Sequence, residues 1–342
     1  SNFTELCKVT EDENAIAVAK VVKVAGVHRV ADTYGPIPYT QVMASKTESL
    51  EVAYDTQEEV YTAMFTELDD VIASLQDNLS LPSDAFGRYD GVYSGNISQW
   101  LKFANSLKLR MAMRIVNVEP GYAQQKAEQA VSHPLGVIET QDESAFISLK
   151  QNPIYVCWNP YSDTRAAADI VSYMKGYNDP RMEKYFTAST FKGNPWVGLR
   201  SGITVPKKDW ALAYAAPNFP ASDLSLMWMN AAEVSFLRAE GAWRGWAMGG
   251  TPEFFYKQGI ERSFEQYGLS GADDYANDST LKPADYADPN KDYSYSIKAR
   301  TDVTIKWAED GRELERIMTQ KWIAIYPLGQ EAWSEIRRTG YP

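Results

Sequence analysis

The sequence predicts a mostly α-helical fold in which irregular helical pairs support a long loop-rich region. Two observations lead to this prediction. Several segments repeat apolar residues at steps of three and four and carry capping signals at their ends. Residues 134–222 lack this pattern and are rich in Gly, Pro, Asn and aromatic residues. We therefore expect N-terminal helical pairs over 13–133, the loop-rich region over 134–222 and C-terminal helical pairs over 223–342.

The first helix is expected over residues 13–30, where "ENAIAVAKVVKVAGVHRV" is apolar on nearly every side. It must end at Tyr34-Gly35-Pro36, because proline lacks an amide donor and glycine tolerates positive φ. The stretch "DTYGPIPYT" around this signal is either a helix stop or a recognition loop. A helix stop is favoured, because glycine and proline commonly terminate helices. His28 lies one turn before Asp32, which predicts a local hydrogen bond or a helix-end charge.

Three more helices are expected before residue 134. Thr56 and Glu59 have the spacing of a capping box, and the apolar residues after them share one helical face. A third helix is expected over 97–118 and a shorter fourth one over 122–131. The apolar face of the second helix consists of Val60, Met64, Leu68, Val71 and Leu75.

After the loop-rich region, the sequence again predicts helices. Thr251-Pro252 is a cap followed by a first-turn proline, and it begins a helical hairpin with the preceding segment. The pairs are close in length to tetratricopeptide-type units of about 34 residues, but they lack a repeating consensus. The expected helices span 165–175, 223–246, 251–268, 312–325 and 329–338, with an acidic loop over 270–301.

Composition excludes several classes of protein. The 342 residues are 44% apolar and 13% aromatic, enough to fill a large core. A net charge of -11 without a basic run argues against nucleic-acid binding. No apolar run approaches the roughly 18 residues that cross a bilayer. The 10 Trp and 21 Tyr exceed what packing requires, so the surplus rings either face a ligand or form wide ridges between helices.

No metal or cofactor is predicted from the cysteines and histidines. Cys7 and Cys157 lack CxxC spacing, and the sequence leaves open whether they form a disulfide. With His28 and His133 as the two histidines, the chain has neither a zinc set nor a Cys-His relay of recognisable spacing.

The acidic loop contains a weak similarity to a calcium-binding loop. Asp288, Asn290 and Asp292 alternate as oxygen ligands do, but Tyr293 replaces the required glycine and Ala299 the bidentate glutamate. A solvated acidic loop is the favoured interpretation.

Two charged clusters are assigned to the scaffold. Arg110 and Arg114 lie one turn apart on an otherwise apolar helix and either hold an anion or pair with carboxylates of neighbouring helices; pairing is favoured, because buried arginines need partners. The charges of "QEAWSEIRRTGYP" are expected to support their helix through i, i+3 and i, i+4 pairs. No motif nominates catalytic carboxylates.

Several motifs, in order along the chain, resemble the SusD/RagB family of Bacteroidetes outer-membrane lipoproteins. The resemblance covers nearly the whole chain. It is carried by "VHRVADTYGPIPYTQV", "QWLKFANSLKLRMAMRI", "YNDPRMEKYF", "AAEVSFLRAEGAWRGW" and "ERIMTQKWIAIYPLGQEAWSEIRRTGYP".

The resemblance implies a single SusD-like domain, incomplete at both ends, with four tetratricopeptide-like pairs and a loop-rich face that binds a nutrient, commonly a glycan. It implies a lipid-anchored protein at the cell surface of the outer membrane and a SusC-like TonB-dependent transporter as partner. It does not imply an enzyme. The sequence departs from the family in lacking a lipobox, and Cys7 is a poor candidate for the lipidated residue. In this family "DTYGPIPYT" is a helix exit.

Aromatic residues of the loop-rich region are the candidate ligand site. They lie in Gly/Pro/Asn-rich surroundings, where no helical period assigns them to a core, and flat rings stack on the C–H faces of sugars. The alternative is that these rings pin the loops onto the helices. Trp100 and Trp322, on apolar helical faces, are expected in the core. The candidate ligand-binding residues are Trp158, Asn194, Trp196, Asp209, Trp210 and Tyr214, with Asn218 as a further hydrogen-bonding candidate.

The favoured function is a binding protein that captures an extracellular glycan and delivers it to a transporter. The alternatives are an extracellular glycan hydrolase on a helical scaffold, a binder of a peptide nutrient, and a scaffold for protein interactions.

Overall fold

A computed structural model describes residues 2–42, 52–80, 84–205, 207–291 and 294–342, and the fold is mostly helical as predicted. The helices are α1 Asn2–Val9, α2 Glu13–Tyr34, α3 Gln57–Asp77, α4 Asp84–Gly87, α5 Ile97–Ile115, α6 Pro120–Ser132, α7 Pro153–Trp158, α8 Ala168–Gly176, α9 Met182–Tyr185, α10 Lys208–Ala211, α11 Ala231–Trp243, α12 Pro252–Gln266, α13 Ala272–Ala276, α14 Glu313–Ala324 and α15 Gly329–Thr339.

Short antiparallel strand pairs join distant loops in this helical framework. β1 pairs with β4, β2 with β3 and β5 with β6. The strands span Ala145–Ser148 (β1), Phe186–Thr187 (β2), Ala216–Pro217 (β3), Ser225–Met229 (β4), Tyr286–Ala287 (β5) and Ser296–Ile297 (β6).

The helices pack in pairs, as the sequence indicates. α2 packs on α3, α5 on α6 and α11 on α12, while α3 packs on α5 and α14 on α11. One continuous apolar core runs through these pairs and includes Val21, Phe65, Leu107, Phe236 and Ile317. Burial of this apolar area is the main stabilising contribution.

The exit of α2 confirms that "DTYGPIPYT" begins with a helix stop. Gly35 adopts a φ of 77°, and its amide donates to the carbonyl of Ala31. The chain then runs extended, and Ile37 forms an isolated antiparallel bridge with Asp55. The Asp55 carboxylate accepts from the amides of Tyr39 and Thr40 at 2.8 and 2.7 Å. This stretch therefore joins α2 to the start of α3.

The capping prediction for α3 is confirmed, but one predicted helix begins too early. Thr56 caps α3 and Glu59 completes the capping box. Residues 223–246 were expected to be helical, whereas Ser225–Met229 forms β4, and α11 begins only at Ala231, after its cap Asn230. The sequence "SLMWM" alternates in burial along β4, a period that a helical assignment overlooks.

The two tryptophans predicted to be core residues differ. Trp100 is buried, and its indole nitrogen Nε1 donates to Asp90 Oδ2 at 2.7 Å. Trp322 is only partly buried and meets Tyr173 edge to face, with ring centroids 5.2 Å apart. The prediction for Trp322 needs correction, because its outer side borders a cavity of the loop-rich face.

A buried network of ion pairs ties α15 to the rest of the scaffold. Arg110 makes a bidentate pair with Glu233, with both N–O distances at 2.7 Å. Arg114 contacts Asp32, Glu331 and Glu335. The expectation that these arginines pair with carboxylates of neighbouring helices is therefore confirmed.

The network also contains Lys321 and Arg338. Arg338 donates to both oxygens of Glu240 at 2.6 and 2.7 Å and to Glu335 at 2.6 Å. Burial on its own would raise the pKa of Glu331, but Arg114, Arg110 and Lys321 lower it to about 2. Glu331 is thus ionised, and opposite charges in close contact offset its desolvation.

His28 lies beside this network as a neutral residue. It is buried, and its ring nitrogen Nδ1 is 3.2 Å from the carbonyl oxygen of Val24. Burial lowers its pKa to about 3, and the positive charge of Arg110 adds to the effect. The predicted local hydrogen bond is confirmed, whereas a helix-end charge is not, because the imidazole stays uncharged.

Within the described ranges, no helix combines the length and the apolar character needed to cross a membrane.

Candidate functional site

A buried arginine attaches the loop-rich region to the helices. Arg181, from the motif "YNDPRMEKYF", is fully buried and pairs with Asp179 at 2.6 Å. It also donates to Ser263 of α12 and to Gln320 of α14, at 2.8 and 3.2 Å. One guanidinium thus joins α9 to two scaffold helices, which fixes the loops that follow.

Two of the candidate aromatic residues lie together in a small apolar cluster. The Trp210 and Tyr214 rings are 5.2 Å apart, and Phe191 meets Tyr214 edge to face at 5.1 Å. Tyr214 is 2% exposed, and its hydroxyl donates to Asp288 at 2.8 Å. Burial raises the pKa of Tyr214, with Asp288 adding to the effect. The Tyr214 ring lies in the interior, so it supports the loops instead of presenting a face to solvent.

The remaining candidates are spread over the region. Trp158 ends α7, and its indole nitrogen Nε1 donates to the carbonyl of Phe219 at 2.8 Å. Trp196 packs partly against the main core. Asn194 accepts a hydrogen bond from Lys175 at 3.0 Å, and Asp209 is exposed on α10. The structure does not gather these residues into one pocket.

The loop-rich region is instead bordered by three cavities of about 390, 490 and 450 Å³. We call the 450 Å³ cavity the tyrosine cleft. Its walls come from β4, the α9 segment, the loop after β3, the end of α12 and the α14–α15 connection. The cleft residues used below are Lys184, Tyr185, Asn218, Phe219, Asp223, Gln266, Tyr267 and Tyr326.

Aromatic rings form one wall of the tyrosine cleft. Tyr185 and Tyr326 stack with centroids 4.8 Å apart and an interplanar angle of 22°. Tyr267 meets Tyr185 edge to face at 5.0 Å, and Phe219 lies 6.2 Å from Tyr326. Burial raises the pKa of Tyr326 and of Tyr267, so both phenols are neutral at physiological pH. Phe219, Tyr267 and Tyr326 are partly exposed and border the cleft as flat, uncharged rings, whereas Tyr185 is 1% exposed and supports them from behind.

Planar polar groups also line the tyrosine cleft. The Asn218 amide nitrogen donates to the carbonyl of Glu183 at 3.0 Å, which orients that side chain. Gln266 accepts from Asn230 at 2.7 Å and donates to the Tyr267 hydroxyl at 3.2 Å. Asp223 accepts from the Ser225 hydroxyl at 2.8 Å. Amide and carboxylate groups held in this way are suited to hydrogen-bonding hydroxyls.

The 490 Å³ cavity lies beside the tyrosine cleft and is more apolar. Tyr326 and Pro327 line both cavities and separate them. Trp322, Ile154 and Cys157 belong to the second cavity. Cys157 and Cys7 are both exposed and free, so the two cysteines do not form a disulfide.

The sequence reasoning missed the rings of the cleft. Tyr185 lies in "YNDPRMEKYF" within the predicted loop-rich region, and Tyr326 lies between the predicted helices 312–325 and 329–338, but neither was named as a candidate; Phe219 follows directly on Asn218. Both tyrosines stand at helix ends, where a side chain can reach a loop face. Tyr326, directly before Pro327 at the end of a helix, was a local signal, but it does not show which other segments meet that ring.

The described residues contain no cluster of three or more side chains arranged to hold a metal ion. In the acidic loop, Asp288 already accepts from the Tyr214 and Tyr286 hydroxyls and from the amide of Asn290. Asp292 and Tyr293 lie outside the described residues.

The chain belongs to the SusD-like family, described as SusD and RagB outer membrane lipoproteins, whose model matches residues 1–342. Family members are outer-membrane lipoproteins of the cell surface, with tetratricopeptide-like helical repeats. No curated protein matches the chain.

Solved structures of SusD homologues superpose closely on this chain. A chitin-binding SusD homologue from Flavobacterium johnsoniae is 40% identical with a TM-score of 0.94, covering 100% of this chain and 72% of that one. A homologue from Bacteroides uniformis is 45% identical with a TM-score of 0.93, and the match covers 99% of this chain and 71% of the homologue. A homologue from Bacteroides thetaiotaomicron is 43% identical with a TM-score of 0.91, and the match covers 99% of this chain and 71% of the homologue.

Proposed function

We propose that the protein binds an extracellular glycan at the cell surface and that the tyrosine cleft holds part of it. The observation that carries this proposal is that one cleft is lined both by the neutral rings of Tyr326 and Phe219 and by amides held in place by hydrogen bonds. The C–H faces of a sugar ring stack on such aromatic surfaces, and its hydroxyls pair with planar polar side chains. The chitin-binding homologue, similar over the whole chain, supports a saccharide ligand.

The cleft favours binding over hydrolysis. Glycoside hydrolysis ordinarily needs two carboxyl groups that flank the scissile bond. Asp223 is the carboxylate among the described residues of the cleft lining, and its Oδ1 accepts hydrogen bonds from the Ser225 amide and hydroxyl. A single carboxylate held in a turn lacks the partner that this chemistry requires.

The sequence-predicted residues extend the proposed site. Trp158 holds the Phe219 carbonyl and so positions the cleft wall. Asn194, Trp196, Asp209 and Trp210 would contact a longer ligand, whereas buried Tyr214 would act as a support.

We further propose that the bound glycan passes to a SusC-like TonB-dependent transporter and that the native protein is anchored by lipid. Family membership supports both statements. Co-purification from outer membranes with a large β-barrel is expected, and repeated absence of a barrel would contradict the transporter partnership. Protease treatment of intact cells should digest the protein while a periplasmic marker survives.

Incubation with labelled oligosaccharides separates the proposed function from its alternatives. The proposal predicts retention of intact oligosaccharide. Release of shorter products would indicate a hydrolase. Retention of labelled peptides in place of saccharides would indicate a peptide nutrient, and binding of neither would leave a protein-interaction scaffold.

A further inference from the structure

The third cavity, of about 390 Å³, lies on the other side of α8 from the apolar cavity. We call it the arginine cavity. Its walls are the first turns of α8, the loop after Leu199, and strands β5 and β6 with residues 298–300. The lining residues used below are Asp169, Tyr173, Arg200, Tyr286, Tyr295, Lys298 and Arg300.

Cations dominate the lining of the arginine cavity. Arg200, Lys298 and Arg300 face a single lining carboxylate, Asp169. The chain as a whole carries a net charge of -11, so this cavity has the opposite charge balance from the rest of the protein. A local excess of cations concentrates and orients anionic ligands.

Arg200 is held in place before any ligand arrives. Its guanidinium lies 4.3 Å from the centroid of the Tyr295 ring, and its Nε is 3.8 Å from Asp288 Oδ2. Asp288 does not line the cavity, and its oxygens accept from the Tyr214 and Tyr286 hydroxyls. The compensating carboxylate thus lies behind the cavity wall while the guanidinium borders the cavity.

Arg300 and Lys298 are the more adaptable cations. Arg300 is exposed and has no carboxylate within ion-pair distance among the residues that the structure describes. Lys298 pairs with Asp285 at 2.6 Å, but its side chain is 89% exposed. Exposed pairs contribute little and are screened by salt, so Lys298 can exchange partners when an anion binds.

We propose that the arginine cavity binds the acidic group of a saccharide, a carboxylate or a sulfate ester, with Arg300 as its main partner. Guanidinium groups pair with these anions through two parallel hydrogen bonds. Tyr295, which is 42% exposed, supplies aromatic surface for the sugar ring itself, and the buried rings of Tyr173 and Tyr286 support the wall behind it. The saccharide part of this inference rests on the proposed function, whereas the preference for acid is independent of the tyrosine cleft.

Paired oligosaccharides test the inference by titration. Uronic-acid oligosaccharides are compared with their neutral counterparts, and sulfated oligosaccharides with their desulfated forms. At low salt at least one acidic probe should bind about tenfold more tightly than its neutral partner. Arg300→Gln should abolish that preference, and added salt should reduce it. Arg88→Gln is the matched control, because Arg88 is an exposed arginine stacked on Tyr89 outside the loop-rich region, and this variant should keep the preference.

Three outcomes would overturn the inference. The first is that no acidic probe binds more tightly than its neutral partner, and the second is that the preference survives Arg300→Gln. The third is that inorganic sulfate competes as well as the acidic oligosaccharide, because the cavity would then be an anion site without sugar recognition. Phe219→Ala distinguishes this failure from failure of the proposed function. If neutral oligosaccharides bind and depend on Phe219, only the acidic preference is wrong. If the acidic preference depends on Arg300 but Phe219→Ala changes nothing, the tyrosine cleft is wrong instead.

Discussion

Charged side chains have different surroundings in the scaffold and in the loop-rich region. In the scaffold, Arg114 is buried against Asp32, Glu331 and Glu335, so its charge is already neutralised by carboxylates of other helices. On the loop-rich face, Lys184 is exposed beside the tyrosine cleft. Charges that are satisfied internally hold helices together, whereas charges left at a cavity wall are available to a ligand. Substitutions in the two regions should therefore affect different measurements.

The largest effect is expected in the scaffold. Arg114→Met leaves three buried carboxylates short of a partner, so we expect the free energy of unfolding to fall by about 3–5 kcal/mol. Lys257→Met is the control, because Lys257 makes a surface pair with Glu253 on α12 and should change stability by less than about 1 kcal/mol. Urea unfolding of both variants provides the comparison. Equal, small losses would show that the network does not hold the scaffold.

A smaller loss of stability is expected from the interior of the loop-rich region. Tyr214→Phe removes the hydroxyl that donates to Asp288, and a hydrogen bond to a charged group contributes about 1.5–3 kcal/mol. Tyr161→Phe is the control, because Tyr161 is 59% exposed. Thermal melting of both variants checks the difference. A melting temperature for Tyr214→Phe equal to that of Tyr161→Phe would contradict the supporting role of Tyr214.

The pH dependence of stability should separate His28 from the carboxylates. Burial lowers the pKa of His28 to about 3, so the unfolded chain binds a proton below about pH 6.5 while the folded chain does not. Stability is therefore lost as pH falls from 6.5 towards 3, by about 2 kcal/mol between pH 6.5 and 4.5. Glu331, with a pKa lowered to about 2, contributes stability above about pH 4.5 that is lost as pH falls towards 2.

His28→Gln should flatten the stability profile between pH 6.5 and 4.5 and leave the acid limb below pH 4.5 in place. His133→Gln is the control and should retain the upper slope, because His133 is only partly buried. Urea unfolding at several pH values measures both slopes. A His28→Gln profile parallel to that of the unaltered protein would contradict the assignment.

Trp210 sharpens the comparison within the loop-rich region. If it contacts a ligand as proposed, Trp210→Ala weakens binding by about 1–2 kcal/mol and nearly preserves the melting temperature. The alternative is that the Trp210 ring packs against Tyr214 and holds the loops in place. In that case Trp210→Ala would lower the free energy of unfolding by about 3–5 kcal/mol.

The helices were predictable because their causes are local. Thr56 and Glu59 cap α3, and Gly35 ends α2, through contacts with neighbouring residues. The apolar helix around Arg114 predicts that this arginine pairs with carboxylates. It does not predict which carboxylates, because Glu331 and Glu335 lie more than two hundred residues away in the sequence. The tyrosine cleft was not predictable, because Tyr185, Phe219 and Tyr326 come from three separate segments. Their proximity depends on the fold alone.

The central claim is that the loop-rich face binds a saccharide while the scaffold only supports it. Phe219→Ala tests it most directly, with Phe254→Ala as the control, because Phe254 is a 54% exposed ring on α12. Oligosaccharide titration and thermal melting are measured for both variants. The account predicts that Phe219→Ala weakens binding by about tenfold, or about 1.4 kcal/mol, with a melting temperature close to that of Phe254→Ala. Unchanged oligosaccharide affinity in Phe219→Ala would contradict it.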